Sequence, residues 1–217
     1  MPQLENIFTT PVGGPNRDMI FDTYIGSEIA KIIEPLAHLR MLVFREYPYL
    51  YDGDFDFEKR YLQTYVKSRR SFVVLVRSTE GTVIGASTCL PLADEESALQ
   101  GNFRQNKYDV DEIFYFGESV ILPTFRGKGL GKTFFEYREQ HAKSFGNYRY
   151  AAFCAVVRPS DHLLKPEGLK SPEALWQRLG YQKLGGVTAR YSWKDIDQRA
   201  ETEKTMQFWL KEFLDHE

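Results

Sequence analysis

Three glycines and three cations share seven consecutive residues, Arg126-Gly127-Lys128-Gly129-Leu130-Gly131-Lys132. No other stretch limits the possible folds of this chain as much. An apolar segment from Ile113 to Leu122 precedes the run, and helical periodicity follows it from Thr133 to Phe145. The order is therefore strand, loop, helix. Alternating glycines let successive backbone N–H groups turn toward one point with no Cβ in the way. A helix beginning there adds its unpaired first-turn donors and the positive end of its dipole. Such a loop is a cradle for a diphosphate.

Spacing tests whose diphosphate it suits. A Walker A loop ends in Gly-Lys-Ser/Thr, which Gly131-Lys132-Thr133 supplies, but the first glycine it requires falls on Arg126. The strand from Tyr150 to Val157 runs into Arg158-Pro159 and not into the acid of a nucleoside-triphosphate enzyme. The dinucleotide fingerprint needs G-x-G-x-x-G, and this loop has G-x-G-x-G. The Arg-Gly-x-Gly-x-Gly pattern resembles motif A of the GNAT acetyltransferase superfamily, the loop that there binds the pyrophosphate of acetyl-CoA. Val120-Ile121-Leu122-Pro123-Thr124-Phe125 is similar to that family's strand end and turn. Leu175-Trp176-Gln177-Arg178-Leu179-Gly180-Tyr181 resembles its Leu-Tyr-x-x-Leu-Gly-Phe helix end.

Element order extends the resemblance from about Met19 to Leu210. A strand over Met19 to Ile25 precedes a helix through Leu36, Leu39, Arg40, Val43 and Phe44, which Pro48 stops. A second helix is expected from about Phe57 to Lys67. Strands Phe72 to Arg77 and Val83 to Leu92 form a hairpin about Gly81. Residues 93 to 110 read as a short helix plus loop, and a short helix opens at Ser171-Pro172 and ends at Gly180. Two last strands lie near Val187 to Trp193 and Thr205 to Trp209. The resemblance implies an α/β (α+β) GNAT fold: a mixed, mostly antiparallel, twisted sheet of about seven strands with about four flanking helices, splayed between strands 4 and 5. Residues 1–18 read as an irregular arm, and 19–217 as one domain.

Composition bounds the partners. At 217 residues with 42% apolar side chains, the chain can bury a sizeable core. A net charge of −2 argues against a nucleic-acid surface. Cys89 and Cys154 sit in apolar runs and read as buried free thiols of a reducing compartment. Met1 to Gly14 lack a secretory pattern, and no apolar run has membrane-spanning length, so a cytoplasmic protein without membrane or metal is expected. Phe208-Trp209 in the last strand could pair with a second subunit as a homodimer, though an internal strand reads the same way.

The resemblance implies acetyl transfer from acetyl-CoA to an amine, with Val120, Ile121, Leu122, Arg126, Gly127, Lys128, Gly129, Leu130, Gly131, Lys132 and Thr133 holding the coenzyme. The Ile121 or Leu122 N–H would be the oxyanion donor. Strand alternation places Glu118 on one face with Phe114, Phe116, Val120 and Leu122, where desolvation would suit it to act as general base. The alternative for this residue is a carboxylate satisfied by an arginine across the sheet. Trp176 stands where relatives carry an acidic tyrosine, and an indole only donates. Ser171, Asp161 and His162 are the nearby substitutes, and Leu169 stands where many relatives have an asparagine. Tyr49, Tyr51 and Asp52, in the tyrosine-rich acidic loop from Tyr47 to Asp56, suit a small cationic acceptor through ring faces and charge. A non-catalytic acyl-CoA sensor is the alternative function.

Overall fold

A computed structural model describes residues 19–213, so the expected N-terminal arm lies outside the described residues. β1 (Met19–Ile25) leads through a 3-10 turn into α1 (Ile33–Phe44) and then α2 (Phe55–Lys67). The hairpin of β2 (Phe72–Ser78) and β3 (Val83–Pro91) follows, then α3 (Ser97–Gln105), β4 (Ile113–Ile121) and α4 (Leu130–Lys143). β5 (Tyr150–Val156), α5 (Glu173–Arg178), β6 (Gln182–Lys194) and β7 (Glu201–Glu212) complete the described chain. α2 begins two residues earlier than expected because the Asp54 side chain accepts the Phe57 N–H at 2.7 Å and caps it. β6 and β7 extend well beyond their apolar centres, since antiparallel pairing carries their exposed polar ends.

The sheet runs β1-β2-β3-β4-β5-β7-β6, antiparallel throughout except between β4 and β5. Those two parallel strands pair only from Ile113–Tyr150 to Tyr115–Ala152 and then part. The expected splay is there. β7 is paired on both sides, by β5 and β6, and Phe208 and Trp209 are buried within the chain. That corrects the expectation that this strand could meet a second subunit. At Phe208 and Trp209 it is an internal strand, the alternative the sequence also allowed.

Two apolar layers sandwich the sheet. One joins Leu36, Leu39, Leu62 and Tyr65 of α1 and α2 to Val73, Leu90, Ile113 and Tyr115, and the other joins Phe134 and Phe135 of α4 to Val74, Phe114 and Phe116. β4 alternates between these layers as far as Phe116. There the register slips: Cys89 pairs with Phe116 but Ser87 with Ser119, so Thr88 faces both Gly117 and Glu118. This β-bulge reverses the alternation, and Val120 joins the α1/α2 layer. Glu118 therefore does not share a face with Phe114 and Phe116, as strict alternation predicts. It faces α1 and α2.

Candidate active site

The glycine loop forms as its spacing predicts. Gly127 and Gly129 adopt φ of 76° and 89°, and nothing lies within 4 Å of where a Cβ would stand on either. Gly129 precedes α4, whose first closed bond runs from the Thr133 N–H to the Gly129 carbonyl at 3.2 Å. The donors of Leu130, Gly131 and Lys132 are left at the helix end. Leu130 anchors the loop in the core, and Thr133 is buried in the first turn. Lys128 lies over the Phe125 ring, and Lys132 makes only an exposed contact with Glu136. Arg126 is directed elsewhere: its Nε donates to the Ile121 carbonyl at 3.0 Å, and Nη2 meets Glu46 at 2.7 Å. Of the three expected cations, the two exposed lysines are thus the ones not tied back to the strand.

One of the two expected oxyanion donors is already used. The Leu122 N–H donates to the Ile84 carbonyl at 2.9 Å. In an antiparallel ladder the neighbouring residue then directs both its N–H and its carbonyl away from that partner. The Ile121 carbonyl, held by Arg126, agrees with this. The Ile121 N–H accordingly faces the gap where β4 and β5 part, and Leu122 is set aside.

Behind the gap lies a cavity of about 590 Å³. Tyr49, Tyr51, Asp52 and Glu118, the four acceptor-side residues expected from sequence, all line it. Glu95 and Glu96, from the segment between β3 and α3, form a further part of its wall, and Arg40, Glu58, Tyr61, Tyr115 and Trp193 line it as well and were not foreseen. Arg40 carried a signal, as a charge on the otherwise apolar stripe of α1, which demands a buried partner. It has two: its Nη1 lies 2.6 Å from Glu118 Oε1, and its Nε donates to Glu58. All three groups are at least 90% buried. Burial works against the Arg40 charge, but Glu118, Tyr61 and Glu58 hold its guanidinium more firmly protonated than an ordinary arginine. Glu118 is thus not the unpartnered carboxylate that strand periodicity suggested. Its other oxygen receives a long contact from the Tyr65 hydroxyl at 3.5 Å, and its backbone N–H donates to Thr88 Oγ1 at 3.2 Å.

The bulge has its own support. Arg138 of α4 is almost fully buried between the rings of Phe116 and Phe135, and its Nη1 donates to the Glu118 carbonyl at 3.2 Å. On the other side, a Cβ added at Gly117 would stand 1.9 Å from the Tyr65 hydroxyl and 2.6 Å from Thr88 Oγ1. Both atoms hold Glu118. Gly117→Ala is expected to cost about 1–3 kcal/mol in urea denaturation, the usual penalty for overpacking, and to displace the carboxylate.

The acceptor loop is braced from behind. Arg158 donates to the carbonyls of Pro48 and Tyr49 and pairs with buried Asp195, while Trp193 Nε1 donates to the Tyr49 carbonyl at 3.0 Å. Burial pushes the Tyr49 and Tyr51 phenols up, so both are neutral donors. Asp52 at the rim is paired by Lys194 and Arg45, which hold its carboxyl below the usual range. None of the substitutes for the missing tyrosine lines the cavity. Ser171 accepts the Glu173 N–H, the His162 ring meets Tyr47, and Asp161 is exposed. Trp176 packs edge-on against Phe153 and Trp209. Cys154, a free thiol in the cavity wall, is pushed up to about 11 by burial, which favours the neutral thiol.

A split mixed sheet, a glycine-rich helix end at the split and a lined cavity behind it together define an enzyme that moves an acyl group from a diphosphate-bearing carrier. The chain belongs to the acetyltransferase (GNAT) family, whose model matches residues 36–165, more than half of its length. Its reaction class is acetyl transfer, and acetyl-CoA is its cofactor. The open cradle and the free strand end fit that molecule. Solved structures share the fold. An acetyltransferase of the GNAT family from Streptococcus pneumoniae is 13% identical, with TM-score 0.54, over 90% of this chain and 99% of that one. NAA60 from Arabidopsis thaliana, solved with a bisubstrate analogue, is 10% identical, with TM-score 0.56, over 90% and 100%. yncA from Salmonella typhimurium, solved with its cofactor acetyl-CoA, is 13% identical, with TM-score 0.51, over 92% and 96%. No curated protein matches the sequence. Among the described residues no helix is long and apolar enough to cross a membrane.

Proposed function

We propose that this enzyme acetylates the primary amine of a small cationic acceptor by direct attack, with Glu118 taking the proton of the ammonium. The observation that supports this most is Glu118 Oε1. That oxygen is buried beside Arg40 yet has no hydrogen bond, because the guanidinium lies near it but out of line. An ammonium N–H aimed at it from the cavity would fill the vacant acceptor position. One cation facing two carboxylates, Arg40 against Glu58 and Glu118, leaves room for a second positive charge. Seven carboxylates line the cavity against three cations, and the ring faces of Tyr49, Tyr61 and Trp193 suit an alkylammonium.

Acetyl-CoA supplies an activated thioester carbonyl when bound. The residues proposed to hold it are Val120, Ile121, Gly127 to Lys132 and Thr133, with the Ile121 N–H aimed at the carbonyl oxygen. Arg126 would serve by ordering the loop through the Ile121 carbonyl. Trp176 packs and no side-chain acid is assigned, so the proton returned to the sulfur comes from water.

Thiol release from acetyl-CoA, measured across polyamines, amino acids, aminoglycosides and peptide N-termini, tests the reading. Turnover is expected with amines carrying a further positive charge. A flat response across the panel from protein that still binds CoA would overturn it in favour of a non-catalytic acyl-CoA-binding module.

A further inference from the structure

We infer that Glu95 is the second proton acceptor of this site, the carboxylate on which the ammonium's proton comes to rest after Glu118 and from which it leaves to solvent. The inference rests on the reading that an amine enters the cavity.

Placement is the first argument. Glu95 follows β3 in a turn fixed at both ends: its N–H donates to the Leu92 carbonyl at 3.1 Å, and its carbonyl accepts from Gln100 Nε2 at 2.7 Å. Its side chain lines the acceptor cavity and also a separate hollow of about 280 Å³ bounded by Thr64, Lys67, Ser68 and Asp94. Only Glu95 and Glu96 are common to the two walls, and of these Glu96 is exposed and Glu95 half-buried. A proton on Glu95 thus has a way out that crosses neither the acceptor nor the coenzyme.

Partners are the second argument. Asp52 is paired by Arg45 and Lys194, Glu58 and Glu118 share Arg40, and Asp54 caps α2. Among the described residues no cation lies within ion-pair distance of Glu95, and its carboxylate accepts there only the Glu96 N–H, at 3.3 Å. A desolvated carboxylate that no cation offsets holds a proton more readily than one in water. The groups that face Glu95 are Glu118 and Tyr115 from β4, Arg40 from α1, and Tyr61 and Tyr65 from α2. Cys154 of β5, Tyr191 of β6 and adjacent Glu96 stand on the cavity side as well, and Lys67 of α2 and Asp94 line the hollow on the other side. Burial raises the four phenols and the thiol, so they stay neutral. Burial pushes Glu95 up to about 7; the Glu96 N–H is the next influence and opposes it, the Glu118 and Glu96 charges add to it, and Arg40 opposes it least.

The step balances. An N–H bond of the ammonium breaks and its electron pair stays on nitrogen. The proton forms an O–H bond on Glu118, passes through a cavity water to the Glu95 carboxylate, and is released to solvent through the hollow. Glu95 must be ionised to receive it, so kcat falls as pH drops through about 7.

The test is kcat at saturating acceptor and acetyl-CoA, followed from about pH 5.5 to about 9. Glu95→Gln is expected to lower kcat by at least about tenfold and to abolish the acid limb near neutrality, with CoA affinity unchanged. Glu95→Asp restores the limb and part of the rate. A Gln variant that keeps the wild-type kcat and acid limb overturns the inference, and so does one that changes only the KM of the acceptor. If the wild type turns over no amine at all, the acetylation reading itself falls, and this inference with it. Folding is checked by melting temperature. The folded chain holds the Glu95 proton more tightly than the unfolded one does, so ionisation costs stability as pH rises from 4.5 through about 7. The Gln variant should therefore melt at or above the wild-type temperature at alkaline pH.

Discussion

Glu118→Gln is expected to lower kcat by about 10²- to 10⁴-fold, the range for loss of a positioned acid–base group, while CoA affinity stays near that of the wild type. Glutamine preserves the shape of the side chain and can still accept from Tyr65 beside the Arg40 guanidinium, but it cannot take a proton. The coenzyme should not register the change, because the glycine loop and the Ile121 N–H belong to backbone that Glu118 does not support. Turnover should therefore fall without loss of binding. Isothermal titration with CoA beside steady-state thiol release separates the two quantities. Unchanged kcat would remove Glu118 from the proton step and leave it as the structural partner of Arg40.

Arg40→Met should act on stability before it acts on rate. Removing one member of a buried ion pair leaves the other charge uncompensated, at a cost of about 3–5 kcal/mol. Here a single guanidinium serves two carboxylates, Glu58 and Glu118, that are at most 6% exposed. It also lies over the rings of Phe44 and Tyr61, at 4.9 and 4.4 Å from their centroids. Urea denaturation at neutral pH measures the loss. Adding Glu58→Gln and Glu118→Gln to the same chain removes the stranded charges and should recover most of the stability. A single variant as stable as the wild type would mean that the carboxylates find other partners, and the charge balance argued for the acceptor cavity would fail with it.

The two residues show how far the sequence could be read. The glycine loop was fully legible, because its function depends on consecutive backbone groups and on glycines that accept positive φ. Element order was legible for the same local reasons, apart from the polar ends of β6 and β7 that only pairing sustains. Tyr49, Tyr51 and Asp52 could be named because one short loop carries them. Arg40 could not be given a role, since its partners Glu58 and Glu118 lie on elements far apart in the chain. Glu118 was read as a cavity carboxylate and placed on the wrong face, because alternation counts residues and a bulge adds one.

By itself, then, the sequence determined that a glycine-rich loop joins a strand to a helix, that its spacing resembles the coenzyme loop of the GNAT family, and that an acid precedes it by eight residues. These are properties of contiguous backbone, and local chemistry suffices for them. Only the tertiary structure decided which way that acid points. Thr88 opposite two residues of β4, Arg138 on the Glu118 carbonyl, and Arg40 against its side chain come from three other elements. Their joint packing turns Glu118 into the cavity, and no spacing along the chain encodes a contact made between strands and helices.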